Sequence, residues 1–116
     1  MSAEGKHLLL EVERTSVGST AVLTVSGEVD VASAPQLQSA IDEAMREQPP
    51  VLVVDLSGVG FFGSAGLSVL LVATEAAPSG GLRVVASDQV RRPIEVTGLD
   101  KLLAVFDTVD RAVDAN

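Results

Sequence analysis

Ser64, in the run Gly63-Ser64-Ala65-Gly66, is the side chain with the strongest claim to chemistry. It follows the glycine-rich stretch Gly58-Val59-Gly60-Phe61-Phe62-Gly63 and opens a segment that reads as a helix from Ala65 to about Ala77. At a helix start, unpaired backbone amides and the positive end of the dipole favour an oxygen, and favour an anion more. Two roles are open to the hydroxyl. It can be an N-cap, contributing about 1 kcal/mol. Or it can be a phosphorylation point, because a phosphoryl group of about −1.5 to −2 charge is tolerated there without melting the helix.

A nucleophilic role would need a base, and the sequence offers little. The one histidine, His7, stands beside Leu8-Leu9-Leu10 with no second histidine at a metal-ligand spacing. Gly-Ser-Ala-Gly lacks the Gly-x-Ser-x-Gly spacing of a nucleophile elbow. The run from Gly58 to Gly63 matches Gly-x-Gly-x-x-Gly by letter only and has no phosphate-binding lysine. There is no cysteine, so disulfides, thiol catalysis and cysteine-ligated zinc are excluded. The carboxylates are dispersed over turns and helix faces. No catalytic residue, metal or cofactor is expected.

With 16 acidic and 8 basic side chains the net charge is −8, which repels phosphate backbones and anionic lipid. Nucleic acid and membrane are therefore not expected as partners. The charge serves either solubility or the steering of a basic partner. The start Met-Ser-Ala-Glu-Gly does not resemble a signal peptide, and the apolar runs fall short of the ~20 residues that span a bilayer. A cytoplasmic protein is the expectation.

The elements that must position Ser64 follow from periodicity. Leu8 to Arg14 alternates in part and reads as a strand; Val17-Gly18-Ser19-Thr20 carries turn chemistry. Ala21 to Ser26 is a second strand, with Ala21, Leu23 and Val25 on one face, so the two form a hairpin. Gly27-Glu28-Val29-Asp30 breaks the pattern. Ser33 or Asp30 can then cap a helix with Pro35 in its first turn and an apolar stripe of Leu37, Ala40, Ile41, Ala44 and Met45. Pro49-Pro50 ends it.

Val51 to Leu56 is nearly continuously apolar, as a central strand buried on both faces should be; Ser57 to Gly63 reads as a connection. After the Ser64 helix, closed by Pro78-Ser79-Gly80-Gly81, come a strand at Leu82–Ala86 and a short helix from Val90 to Thr97 stopped by Gly98. A last apolar segment spans Leu102–Phe106, and Thr108 caps a terminal helix carrying Val109, Ala112 and Val113. The order implies an α/β fold: a mixed sheet of four or five strands with helices packed against it. Residues 1–116 read as one domain, with a core from about 8 to 114. Leu23, Val25, Ile41, Val53, Leu67, Leu70, Leu71 and Val85 are its expected core.

Three stretches carry a family resemblance. Val53-Val54-Asp55-Leu56-Ser57 through Phe61-Phe62-Gly63-Ser64-Ala65-Gly66-Leu67-Ser68-Val69-Leu70 resembles the signature of anti-sigma-factor antagonists of the STAS type: a strand ending in Asp-Leu-Ser, an aromatic turn, then Asp-Ser-Ser/Thr/Ala-Gly-Leu opening a helix. Gly27-Glu28-Val29-Asp30 with Ala34-Pro35-Gln36-Leu37 resembles the family's acidic turn into its first helix, and Val90 to Leu99 its third helix. The resemblance runs nearly the whole chain in order.

It implies a partner-switching regulator of transcription in stress responses. Such proteins bind an anti-sigma factor that is also a GHKL-type serine kinase and so free a sigma factor. The kinase phosphorylates the serine matching Ser64, and a metal-dependent serine phosphatase reverses the change. The implied partner surface is Asp30, Gly63, Ser64, Ala65, Gly66, Leu67 and Ser68, with Arg91 and Arg92 as rim contacts or solvated helix residues. Gly63 departs from the family, which carries an acid there. The alternative within the family is a STAS domain kept as a ligand-sensing or scaffold module without phosphorylation.

Overall fold

The computed structural model describes residues 10–77 and 81–115. His7, the expected start of the first strand at Leu8, and Pro78-Ser79-Gly80 lie outside the described residues.

Strand β1 (Leu10–Val17) turns through Gly18, whose φ of 61° suits glycine, into the antiparallel β2 (Thr20–Val29). Helix α1 (Ala34–Arg46) carries the chain over to β3 (Val51–Phe62), which lies parallel to β2. Helix α2 (Ser64–Ala76) leads to β4 (Leu82–Val85), and α3 (Asp88–Val96) with a 3-10 turn at Leu99–Lys101 leads to β5 (Ala104–Phe106). Both later strands pair parallel, so the sheet order is β1-β2-β3-β4-β5 with β3 in the middle. A final helix, α4 (Val109–Asp114), is capped by Thr108, whose Oγ1 accepts the Arg111 amide at 3.1 Å as its position in the sequence predicts.

Strand alternation divides the core into two layers. Leu23, Val25, Leu52, Val54, Leu56 and Val84 join Leu37 and Ile41 of α1, Leu70 of α2 and Ile94 of α3 in the larger cluster. On the other face Val22, Val53 and Val85 meet Ala112 of α4. The expected core is therefore right for Leu23, Val25, Ile41, Val53, Leu70 and Val85, while Leu67 and Leu71 are half-buried at its margin. Arg91 does not stand free: it pairs with Asp107 at 2.5 Å, tying α3 to the segment after β5. None of the described helices is long and apolar enough to cross a membrane.

Two expected boundaries change. Gly27 to Val29 does not leave the sheet, and Ser57 to Phe62 is strand rather than connection. The two stretches pair with each other, Ser26 with Gly58, Gly27 with Val59, Glu28 with Phe61 and Val29 with Phe62, across register shifts at Thr24/Ser26 and Gly27/Glu28. Small residues permit this pairing. A Cβ on Gly58 would stand 3.2 Å from the Ser26 Cβ and 3.3 Å from the Val25 carbonyl oxygen. The glycines that suggest a loop are what lets two irregular strand ends close on each other.

Candidate functional site

The extended pairing carries the ends of β2 and β3 to the same corner, and both site segments begin there. The Gly63 amide donates to the Val29 carbonyl at 2.9 Å, one residue past the last Val29–Phe62 pair. Asp30 and Ser64 therefore follow directly from two hydrogen-bonded chain ends.

On the β2 side, Asp30 builds the turn. Its Oδ1 accepts the amides of Ala32 at 2.9 Å and Ser33 at 3.0 Å, an Asx turn that leads into α1. Ser33, 1% exposed, accepts the Asp30 amide on its hydroxyl at 3.0 Å and donates that hydroxyl to the Glu28 carbonyl at 2.6 Å. Ser33 is the N-cap residue of α1 by position, but its side chain makes no cap hydrogen bond into the helix. It locks the turn that presents Asp30.

On the β3 side the N-cap of α2 is Gly63, in an extended conformation, and Ser64 is the first helical residue. No side-chain cap closes this helix, so the cap role expected of Ser64 is absent. The reason is positional: a capping hydroxyl must come from the residue with non-helical φ and ψ, and here that residue has no side chain. The Gly66 and Leu67 amides donate to the Gly63 carbonyl at 3.0 and 3.2 Å. Ser64 is exposed and so is Ser68, one turn on. Gly63 and Ala65 are half-buried, Leu67 leans on the core, and Gly66 is buried.

Gly66 has a packing reason of its own. A Cβ there would come within 2.8 Å of Phe62 Cε1, Phe62 Cζ and Val29 Cγ1, closer than real side chains approach. Phe62 and Val29 are 5% and 0% exposed and cannot swing aside into solvent. Gly66→Ala gains about 1 kcal/mol of helix propensity and loses about 1–3 kcal/mol to overpacking. A lower urea midpoint is expected, and a variant as stable as the parent would mean that the Val29–Phe62 wall yields.

Asp55, 8% exposed, accepts the Ser57 hydroxyl at 2.7 Å and the Ser57 amide at 3.0 Å within β3. It braces the strand that leads to the corner. Among the described residues no group of three His, Cys, Asp or Glu side chains could hold a metal.

Sequence reasoning did not find Phe61 and Val31, which are 52% and 82% exposed beside the two segments. A partial signal was present: consecutive strand residues point to opposite faces, so Phe61 and Phe62 cannot pack into the same core layer.

What this corner offers is a surface, built of two strand ends, an Asx turn and a neutral helix start. A mixed five-stranded sheet presenting such a surface is the architecture of a STAS domain. The STAS domain family matches residues 11–112, and the chain belongs to that family. Its relatives are anti-sigma factor antagonists. It is 43% identical to the anti-sigma-F factor antagonist RsfB of Mycobacterium tuberculosis, over 80% of this chain and 78% of that one. It is 30% identical to the anti-sigma-B factor antagonist of Listeria monocytogenes, over 70% and 74% of the two chains. A crystal structure of an anti-sigma factor antagonist from Mycobacterium paratuberculosis superposes with a TM-score of 0.86 at 40% identity, covering 90% of this chain and 91% of that one.

Proposed function

We propose that this chain, acting in the cytoplasm as one STAS domain, binds an anti-sigma factor that is also a GHKL-type serine kinase, and thereby releases a sigma factor. Phosphorylation of Ser64 ends the binding and a serine phosphatase restores it. One observation carries this reading: Ser64 is exposed and uncapped at the first position of α2, directly beside the turn that presents Asp30. A hydroxyl there is free to be modified because it is not needed to hold the helix. A phosphate in its place sits at the positive end of the helix dipole, so the fold survives while the surface changes.

Incubation with the kinase and ATP, followed by intact mass, tests the proposal. The parent chain should gain one phosphate and Ser64→Ala none. No gain by the parent would favour the unphosphorylated scaffold reading, which the absence of a carboxylate at Gly63 supports.

The net charge of −8 adds a kinetic expectation. Association with a basic kinase surface should slow several-fold as ionic strength rises from about 0.01 to 0.15 M, where the screening length shrinks from about 30 to about 8 Å. Stopped-flow rates independent of salt would assign the charge to solubility alone.

A further inference from the structure

We infer that Phe61 is the apolar anchor by which the partner recognises this surface, and that Gly63 is glycine in order to seat the Phe61 ring. The inference rests on the binding role proposed above and names the chemistry that would satisfy it: an apolar pocket edged by a cation.

The chain has three aromatic residues in all, Phe61, Phe62 and Phe106. Phe62 is buried and Phe106 half-buried, so the single well-exposed ring lies at the corner next to Ser64. Nothing in the fold requires it there, since Phe62 supplies the core contact of this strand end. A half-exposed ring costs apolar surface in water, and one that is later covered by a partner recovers it. Aromatic side chains at the centre of an interface dominate binding energies for that reason.

Position and charge narrow the partner. Phe61 is the ladder partner of Glu28, and both are exposed. Asp30 and Val31 follow on the same chain end, Val31 also exposed. Among the exposed residues of the strip formed by Gly27 to Ala32 and Gly60 to Ser68 are two acids, Glu28 and Asp30, two large apolar side chains, Phe61 and Val31, and no base. A pocket that takes the Phe61 ring with a lysine or arginine at its rim fits this strip.

The ring is held in place by what is missing at residue 63. A Cβ on Gly63 would lie 3.1 Å from Phe61 Cε2 and 3.3 Å from Phe61 Cζ, so the ring lies across the glycine. The Gly63 φ of −91° is open to any residue, so the backbone does not demand glycine. The ring does.

The test is a double-mutant cycle on affinity for the anti-sigma factor kinase of the same organism, with thermal unfolding of each variant as control. Phe61→Ala should bind at least about tenfold more weakly while its unfolding midpoint stays close to the parent's. Gly63→Ala should bind about three- to tenfold more weakly, because its methyl displaces the ring. The double variant should be no weaker than Phe61→Ala alone. Losses that simply add would overturn the seating of the ring by Gly63. Parent-like affinity of Phe61→Ala, in an assay where Ser64→Asp still weakens binding, would overturn the anchor and leave the proposed function standing. An unmodified chain that does not bind the kinase would overturn the proposed function itself.

Discussion

Val54→Asp is expected to abolish cooperative unfolding. Val54 is 0% exposed in the central strand, and its ladder neighbours are Leu23 and Val84, 2% and 0% exposed. A carboxylate between two aliphatic side chains under the helical layer has no cation or donor to meet it. An uncompensated buried charge costs several kcal/mol, against a total stability of roughly 5–15 kcal/mol for a domain. The neighbouring Val53 is equally buried but makes a poorer test. Its ladder partner is Arg83, whose guanidinium reaches the Ala112 carbonyl at 2.6 Å, so an acid at 53 would find a counter-charge. A sigmoidal urea transition for Val54→Asp with a midpoint near the parent's would refute the placement of β3.

The second large effect concerns affinity. Phosphorylated protein should bind the kinase at least about a hundredfold more weakly than unmodified protein, which corresponds to about 2.8 kcal/mol. Ser64→Asp should show part of that loss, because one carboxylate supplies less charge and fewer oxygens than a phosphate. Stability should move the other way. Ser64 makes no cap hydrogen bond, so Ser64→Ala should unfold within about 0.5 kcal/mol of the parent. Ser64→Asp puts an anion in the first turn of α2 and should gain about 0.3–1 kcal/mol. A variant that is more stable yet binds worse separates a switch from a damaged fold. Equal affinity across unmodified, Ser64→Ala, Ser64→Asp and phosphorylated protein would leave Ser64 with no switching role.

Periodicity was enough for the helices and for the central strand. The stripe of Leu37, Ile41 and Ala44 and the run Val51–Leu56 leave one sensible burial each. What it could not show was the pairing of two glycine-bearing stretches far apart in sequence. Gly27 and Gly58 look like breaks because glycine disfavours isolated strands, yet each is allowed where two backbones approach closely. The site was legible in its residues but not in their roles. Ser64 was visible as a helix start, but whether it is the cap or the first helical residue depends on φ and ψ at Gly63. Asp30 was legible as a turn residue; that its carboxylate is half engaged by Ala32 and Ser33 was not. The relation of Phe61 to Gly63 is a contact between side chain and backbone two residues apart, which no period reports.

The parallel pairing of β2 with β3 also constrains how the protein is made. Val29 meets Phe62, a residue synthesised 33 positions later. At about 5–20 residues per second, a ribosome needs roughly 2–7 s to supply that partner. Until α1 and then β3 are made, the β1–β2 hairpin can form alone, and Val22, Leu23 and Val25 lack the helices and the strand that later cover them. The exposed charges on β1, Glu11, Glu13 and Arg14, then line the free edge of the nascent hairpin, where they discourage pairing with a neighbouring chain. The corner bearing Ser64 cannot exist before the chain is past α2. On the proposed function, a copy that stops short of α2 therefore lacks the surface with which to bind its partner.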